Sequence, residues 1–242
     1  MGRANYPTLN HPSRYDPHNT AFSLSCADCT KHKVTDHWEC DWCDPVLNCP
    51  YESAKISAVR SPLACTNTFY FLYEVNYVGA LGGRDLIVVD EADTLERTLM
   101  SFITVEITQR RVEEFELPTP DKKTVASSWL SWAQETKEHV DRLVRRHHQQ
   151  PLFKAEPDLR DVKRANRLST LRSDINRLLD PTYGLEQGNW VYDGYRDNHI
   201  IFKPITVAPY ARDYLWRHGV RWLLMSATII SVDEMKESLG VD

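Results

Sequence analysis

Five of the six cysteines fall in one short stretch, Cys26-x2-Cys29-x10-Cys40-x2-Cys43-x5-Cys49, and Cys65 stands apart. Two Cys-x-x-Cys pairs in a polar segment with no secretory signal read as metal ligands rather than as a disulfide framework. Each such turn can direct two thiolates at one ion, so two turns complete the tetrahedral set that zinc prefers or hold an iron–sulfur cluster. A second group is Asp90-Glu91-Ala92-Asp93, which follows the apolar run Leu86-Ile87-Val88-Val89. At the carboxyl end of a parallel strand an aspartate of this kind can hold Mg2+, and the adjacent glutamate can orient or deprotonate an attacking water. The duller use of these acids is to cap the helix that begins at Leu95-Glu96, through Asp93 or Thr94. A third group is Ser226-Ala227-Thr228, after Trp222-Leu223-Leu224-Met225. Its two hydroxyls can hydrogen-bond a neighbouring acidic loop or cap the next helix.

The elements that must position these residues follow from periodicity. With 242 residues, 42% of them hydrophobic, and a net charge of −5, the chain can bury a core, which excludes a disordered or collagen-like polymer. No apolar run approaches the roughly 20 residues of a membrane span, and the N-terminus carries no signal-peptide core, so a soluble, cytoplasmic protein with no membrane partner is expected. Residues 1–50, rich in Pro, Asn, Asp, His and Cys, have too little apolar material for a core of their own and should fold around their metal. A helix is expected over 51–60, with Ala54, Ile56 and Val59 as its apolar positions, then a short buried strand over 63–66 that makes Cys65 a structural thiol. A second helix over 69–79 sets Phe69, Leu72, Tyr73 and Asn76 along one side and stops at Gly79. Residues 86–89 have the appearance of a central parallel strand.

The middle third changes character. Val125, Trp129, Trp132, Thr136, Val140, Leu143 and Val144 recur at helical spacing, as do Leu159, Val162, Leu168, Leu171, Ile175 and Leu178. Breakers at Gln149-Gln150-Pro151 and Glu156-Pro157 suggest an antiparallel helical hairpin between them. The two tryptophans could stack on bases, but at this spacing they belong to a core. Strand signals return at 190–192 and 199–202. A helix over 208–218 closed by Gly219, a buried strand over 220–225 and a helix over 232–239 closed by Gly240 follow. The pattern is an α/β sheet domain carrying a long helical insertion.

Charge is uneven. Between Asp141 and Asp180 there are ten Lys or Arg against six Asp or Glu, within a chain that is acidic overall. Arg142, Arg145, Arg146, Lys154, Arg160, Lys163, Arg164 and Arg167 gather toward the turn of the hairpin. They make either a DNA-binding face or an ordinary solvated one.

Taken in order, Gly2-Arg3-x-Asn5-Tyr6, the clustered cysteines, Cys49-Pro50-Tyr51 with its helix, Asn67, Leu86 to Asp93 with Leu95-Glu96, and Leu224 to Ile229 resemble the iron–sulfur DNA helicases of the XPD/DinG type. The stretch Leu215-Trp216-x-x-Gly219-x-x-Trp222 through Ile229 is similar to the bacterial and phage branch. The resemblance implies a superfamily 2 motor of α/β class. A [4Fe–4S] domain and a helical arch interrupt it and frame a hole for single-stranded DNA. The corresponding division is 1–58 cysteine-rich metal domain, 59–100 motor part with Walker B, 101–188 arch, and 189–242 motor part with Ser-Ala-Thr. Asp90 and Glu91 would be the Walker B pair within the box that Ala92 and Asp93 complete, acting on ATP with Mg2+. Ser226, Ala227 and Thr228 would link hydrolysis to strand separation, with movement expected 5′ to 3′ and DNA repair as a context.

Two departures shape these expectations. The family's first cluster cysteine falls at Thr8 here, while the other three map onto Cys40, Cys43 and Cys49. The fourth ligand is then Cys29 or Cys26, or the cluster is incomplete; Cys29 is the expected ligand, with Cys26 as its substitute and Zn2+ as the alternative to the cluster. No Gly-x-x-x-x-Gly-Lys-Ser/Thr loop occurs in the sequence, and the family's C-terminal motor domain is expected to be missing too. The expectation is the middle portion of a helicase, inactive as an ATPase until joined by its Walker A part and C-terminal motor domain. The alternatives are a free-standing metal-stabilised module that binds nucleic acid or a partner and keeps vestigial motor motifs, or a zinc ribbon with a coincidental acidic box.

Overall fold

The computed structural model describes residues 31–34, 37–40, 50–79, 81, 83–120, 122–148, 159–193, 199–229 and 231–241. In chain order its elements are β1 (Lys31–Val34), β2 (His37–Cys40), α1 (Pro50–Arg60), α2 (Thr68–Tyr73), β3 (Arg84–Val89), α3 (Leu95–Ile103), β4 (Val105–Ile107) and α4 (Gln109–Glu114). There follow α5 (Ala126–His148), α6 (Leu159–Leu178), β5 (Trp190–Tyr192), β6 (Ile200–Pro204), α7 (Ala208–Tyr214), β7 (Gly219–Leu224) and α8 (Val232–Leu239). The fold is mixed α/β, and the chain divides into two compact units, Met1–Thr66 with Pro151–Asn166, and Asn67–Gln150 with Arg167–Asp242. Among the described residues no helix is long and apolar enough to cross a membrane.

In the first unit β1 and β2 form an antiparallel hairpin, with Lys31 opposite Cys40 and Val34 opposite His37. Helix α1 forms where the sequence predicts it, but Ile56 is 45% exposed. Positions two apart lie on opposite sides of a helix, so Ala54 and Ile56 cannot share a face. Tyr51, Lys55, Ala58 and Val59, at offsets of four, seven and eight, form the sheltered side instead. The strand expected over 63–66 does not form. Pro62 has no N–H to offer a ladder, and the Ser61 hydroxyl closes a local turn by donating to the Leu63 carbonyl (2.5 Å) and accepting from its N–H (3.3 Å). Leu63 is 84% exposed and Cys65 is an exposed free thiol, not a buried structural one.

In the second unit β3 and β7 are parallel, in register from Arg84 opposite Gly219 to Val89 opposite Leu224. A separate antiparallel sheet has the order β4-β6-β5. Periodicity gives no sign of β4, a three-residue strand recruited by Ile200 to Phe202 of β6. The helix expected over 69–79 begins as α2, capped by the Asn67 side chain, which accepts from Tyr70 N–H at 2.8 Å. It then widens into one π-turn, Glu74–Val78, and stops at Gly79 with φ +74°. The helix expected over 208–218 ends at Tyr214. Gly219, at φ −140°, starts β7 rather than closing a helix. A Cβ there would lie 2.7 Å from Ile87 Cδ1 and 2.9 Å from Trp222 Nε1, so any larger residue would have to displace these two side chains.

Two cores hold this unit. The first joins α5, the part of α6 from Arg167 onward and the antiparallel sheet through Trp129, Trp132, Val140, Leu171, Ile175 and Phe202. The predicted stripe holds from Trp129 to Val140, whereas Val125 precedes the helix and is 39% exposed. The side chains of Leu159 and Val162, and the hairpin turn, lie outside the described residues. Both indoles are core residues that donate to carbonyls, Trp129 to Lys123 (2.9 Å) and Trp132 to Pro118 (2.7 Å). The second core packs Leu72, Val89, Leu95, Leu99, Tyr210 and Leu215 under one face of the β3–β7 pair. Each fully buried leucine contributes about 1.5–3 kcal/mol.

Candidate functional site: an acidic box joined to a Ser-Ala-Thr turn

Because β3 and β7 run the same way, their carboxyl ends lie side by side, and the two loops that leave them must meet. Met225 N–H extends the ladder to the Val89 carbonyl (2.9 Å), and Ala92 N–H donates back to the Met225 carbonyl (2.9 Å). Between them Glu91 adopts left-handed φ 53° and ψ 45°. That conformation costs a non-glycine residue roughly 1–2 kcal/mol, and it reverses the chain so that Ala92 faces β7. The turn is held by Asp90, whose Oδ1 accepts Glu91 N–H (2.9 Å), and by Thr94, whose N–H and hydroxyl both donate to the Glu91 carbonyl at 2.9 Å. Ala92 is 1% exposed, so a larger side chain has no room there.

Asp93 is thereby directed at the second loop. Ser226 Oγ donates to Asp93 Oδ1 at 2.5 Å, lies 3.2 Å from Thr228 Oγ1, and accepts Thr228 N–H at 3.1 Å. The Ser226 hydroxyl, and after it that of Thr228, hold the Asp93 carboxyl below the usual carboxylate range. Neither capping use occurs. Thr94 precedes α3 without a side-chain cap bond, and α8 is capped by Ser231. Asp90, Glu91 and Asp93 are all exposed. Among the described residues no three His, Cys, Asp or Glu are grouped to hold a metal ion. Mg2+ in nucleotide sites commonly takes only one or two carboxylates, with water and phosphate as its other ligands, and Asp90 and Glu91 are the exposed carboxylates at this strand end that could take that part.

No protein-family model matches the chain, and no curated protein matches it.

The other expected sites are partly described. Cys40 is the last residue of β2, opposite Lys31. Cys26, Cys29, Cys43, Cys49 and Lys154 lie outside the described residues. Arg142, Arg145 and Arg146 are exposed on α5, and Arg160 and Arg164 are exposed on α6, where Lys163 is half-buried. Arg167 is committed elsewhere: its guanidinium binds Glu114 in a two-pronged pair at 2.8 and 2.7 Å.

Two polar clusters had no signal in the sequence. Asp174 bridges Arg111 (3.0 Å) and Arg177 (2.9 Å), and burial pushes its carboxyl up in spite of both guanidinium groups. Asn76 donates to the Leu72 and Tyr214 carbonyls, each at 2.8 Å, and its Oδ1 lies 3.1 Å from His218 Nε2. Partners 63 and 142 residues apart follow no local spacing rule.

Proposed function

We propose that this chain is the iron–sulfur, arch and Walker B portion of an ATP-dependent DNA helicase of the XPD/DinG type. It binds single-stranded DNA and requires the remaining motor segments to turn over ATP. The observation that carries the reading is the Ser226–Asp93 hydrogen bond at the carboxyl ends of two parallel strands. In this reading β3 and β7 belong to a motor sheet. Asp90 would hold Mg2+ and Glu91 would orient the attacking water, while the Asp93–Ser226–Thr228 contacts would pass the state of the nucleotide site to β7. Helices α5 and α6 form the arch. The need for further motor segments is supported by the face of the parallel pair turned away from the core. There Leu86, Val88 and Leu223 are 51%, 49% and 48% exposed, whereas parallel sheets are ordinarily covered on both faces.

The cluster ligands in this reading are Cys29, Cys40, Cys43 and Cys49, with Cys26 as the substitute for Cys29. Of these residues only Cys40 is described, at the end of β2 opposite Lys31. The paired Cys-x-x-Cys spacing also carries a second reading, a zinc centre on Cys26, Cys29, Cys40 and Cys43 in a free-standing nucleic-acid-binding module. Metal and sulfide analysis separates the two: iron with acid-labile sulfide in a brown sample supports the helicase portion, and stoichiometric zinc in a colourless one supports the module. The purified chain should show no ATP turnover above background. In a restored motor, Glu91→Gln should stop hydrolysis while nucleotide binding persists. Turnover by the chain alone, or normal turnover in the Gln variant, would refute the motor assignment.

A further inference from the structure

Phe69, Tyr73 and Tyr77 recur every four residues along α2 and its π-turn, and each is about half exposed, at 49%, 47% and 46%. The core does not use them: the inward side of this helix is Leu72, Val75 and the partly buried Phe71. Scattered exposed apolar residues are ordinary, but an aligned row of three aromatic rings marks a binding surface. The row is also held in place. The buried ring of Phe102 lies 5.6 Å from both Phe69 and Tyr77, and Tyr73 lies 5.5 Å from Tyr77, so the rings rest on a fixed floor.

The row ends at a positive charge. Arg177 donates to the Phe102 carbonyl (3.0 Å) and reaches the Tyr77 phenol. Through Asp174 it is joined to Arg111, so two guanidinium groups share one carboxylate and leave one positive charge in excess. The Arg111 and Arg177 side chains remain 21% and 23% exposed. An aliphatic stripe would suit a helix. Flat rings, two of them phenols, beside an excess cation suit bases and a phosphate.

We infer that Phe69, Tyr73 and Tyr77 form a stacking platform for the bases of a single-stranded nucleic acid, with the Arg111–Asp174–Arg177 cluster receiving a backbone phosphate at its end. Four helical residues rise about 6 Å, wider than the 3.4 Å repeat of stacked bases, so the strand lies splayed with one base to a ring. The ligand class rests on the reading proposed above, but the platform requires no ATP.

The test is binding of an oligothymidylate strand to the whole chain, followed by fluorescence anisotropy. Tyr73→Ala and Tyr77→Ala should each weaken binding by about 5- to 150-fold, the loss expected for one stacked base. Tyr73→Phe and Tyr77→Phe, which keep the ring, should bind as the parent does. Photocrosslinking of a 5-iodouracil strand should map to Tyr73 or Tyr77. Thermal melts matched to the parent show that the variants are folded. Binding insensitive to ring removal, or Phe variants as weak as Ala variants, would overturn the platform alone and leave DNA binding by the arch intact. Self-association that disappears in the Ala variants would instead make the row a protein interface. No oligothymidylate binding by the parent would overturn both this inference and the DNA-binding part of the proposed function, while the ATP experiments judge the motor separately.

Discussion

Ser226 donates its hydroxyl to Asp93, 133 positions away in sequence, and this bond ties the acidic box to the end of β7. Because Ser226 lowers the Asp93 pKa, the bond stabilises the charged carboxylate. The sign follows from linkage. Its contribution is complete above the unfolded carboxylate value of about 3.9 and is lost as pH falls through the folded value below that. Ser226→Ala should raise the Asp93 pKa toward the ordinary carboxylate range, read by NMR titration of its side-chain carbon. An unchanged titration would show that Ser226 does not hold the carboxylate.

Asn76 and His218 form a second tie, between the π-turn and the start of β7. Burial first, and the Arg217 guanidinium second, keep the His218 pKa below the usual histidine range. The unfolded chain therefore takes up the proton first as the medium becomes acidic. Stability should be full above about pH 6.5 and decline as pH falls from there toward the folded value. Asn76→Ala takes this donor away from two carbonyls and should cost about 1–3 kcal/mol in urea unfolding. A His218→Gln variant that keeps the same decline below about pH 6.5 would assign it to another group.

Long-period patterns were the most legible part of the sequence. The stripe from Trp129 to Val140 is buried because apolar or small residues at helical spacing leave no other face for a core. Asp90-Glu91-Ala92-Asp93 and Ser226-Ala227-Thr228 were legible as candidates, since each follows an apolar strand. Their contact was not, because it depends on the parallel register of β3 with β7 and on the left-handed turn at Glu91. Short signals failed where tertiary context decides. Residues 63–66 carry a strand-like pattern, yet Pro62 and the Ser61 turn leave them exposed, while β4 exists only because β6 pairs with it. Phe69 and Tyr73 shared a helix stripe with Leu72, but spacing does not distinguish the side that meets the core from the side that remains open.

If residues 1–50 fold around a metal, as proposed, they should behave as a unit dependent on it. Chelation or oxidation should expose residues 1–50 to limited proteolysis while α5, held by its own core, persists. Cys40→Ser and Cys43→Ser should each abolish metal binding, measured as metal per chain. Cys65→Ser should retain full occupancy, consistent with an exposed thiol in a loop. Equal protection of residues 1–50 with and without metal would remove the metal from the folding argument.

The arginines of the helical segment divide into two kinds, and the division can be measured. Arg145 and Arg146 are exposed on α5, where a phosphate could replace their hydration without breaking a protein contact. Arg167 is bound to Glu114, with side chains 28% and 17% exposed, so its removal would take a two-pronged partner from a sheltered carboxylate. Counterion release predicts that abolishing one arginine–phosphate ion pair lowers the slope of log affinity against log salt by roughly one. The Arg145→Ala, Arg146→Ala double variant should therefore lower the slope by about two, weaken binding to all sequences alike, and keep the parent melting temperature. Arg167→Ala should do the reverse, costing about 1 kcal/mol of stability with the salt slope unchanged. A double variant with the parent slope would make Arg145 and Arg146 part of an ordinary solvated helix face.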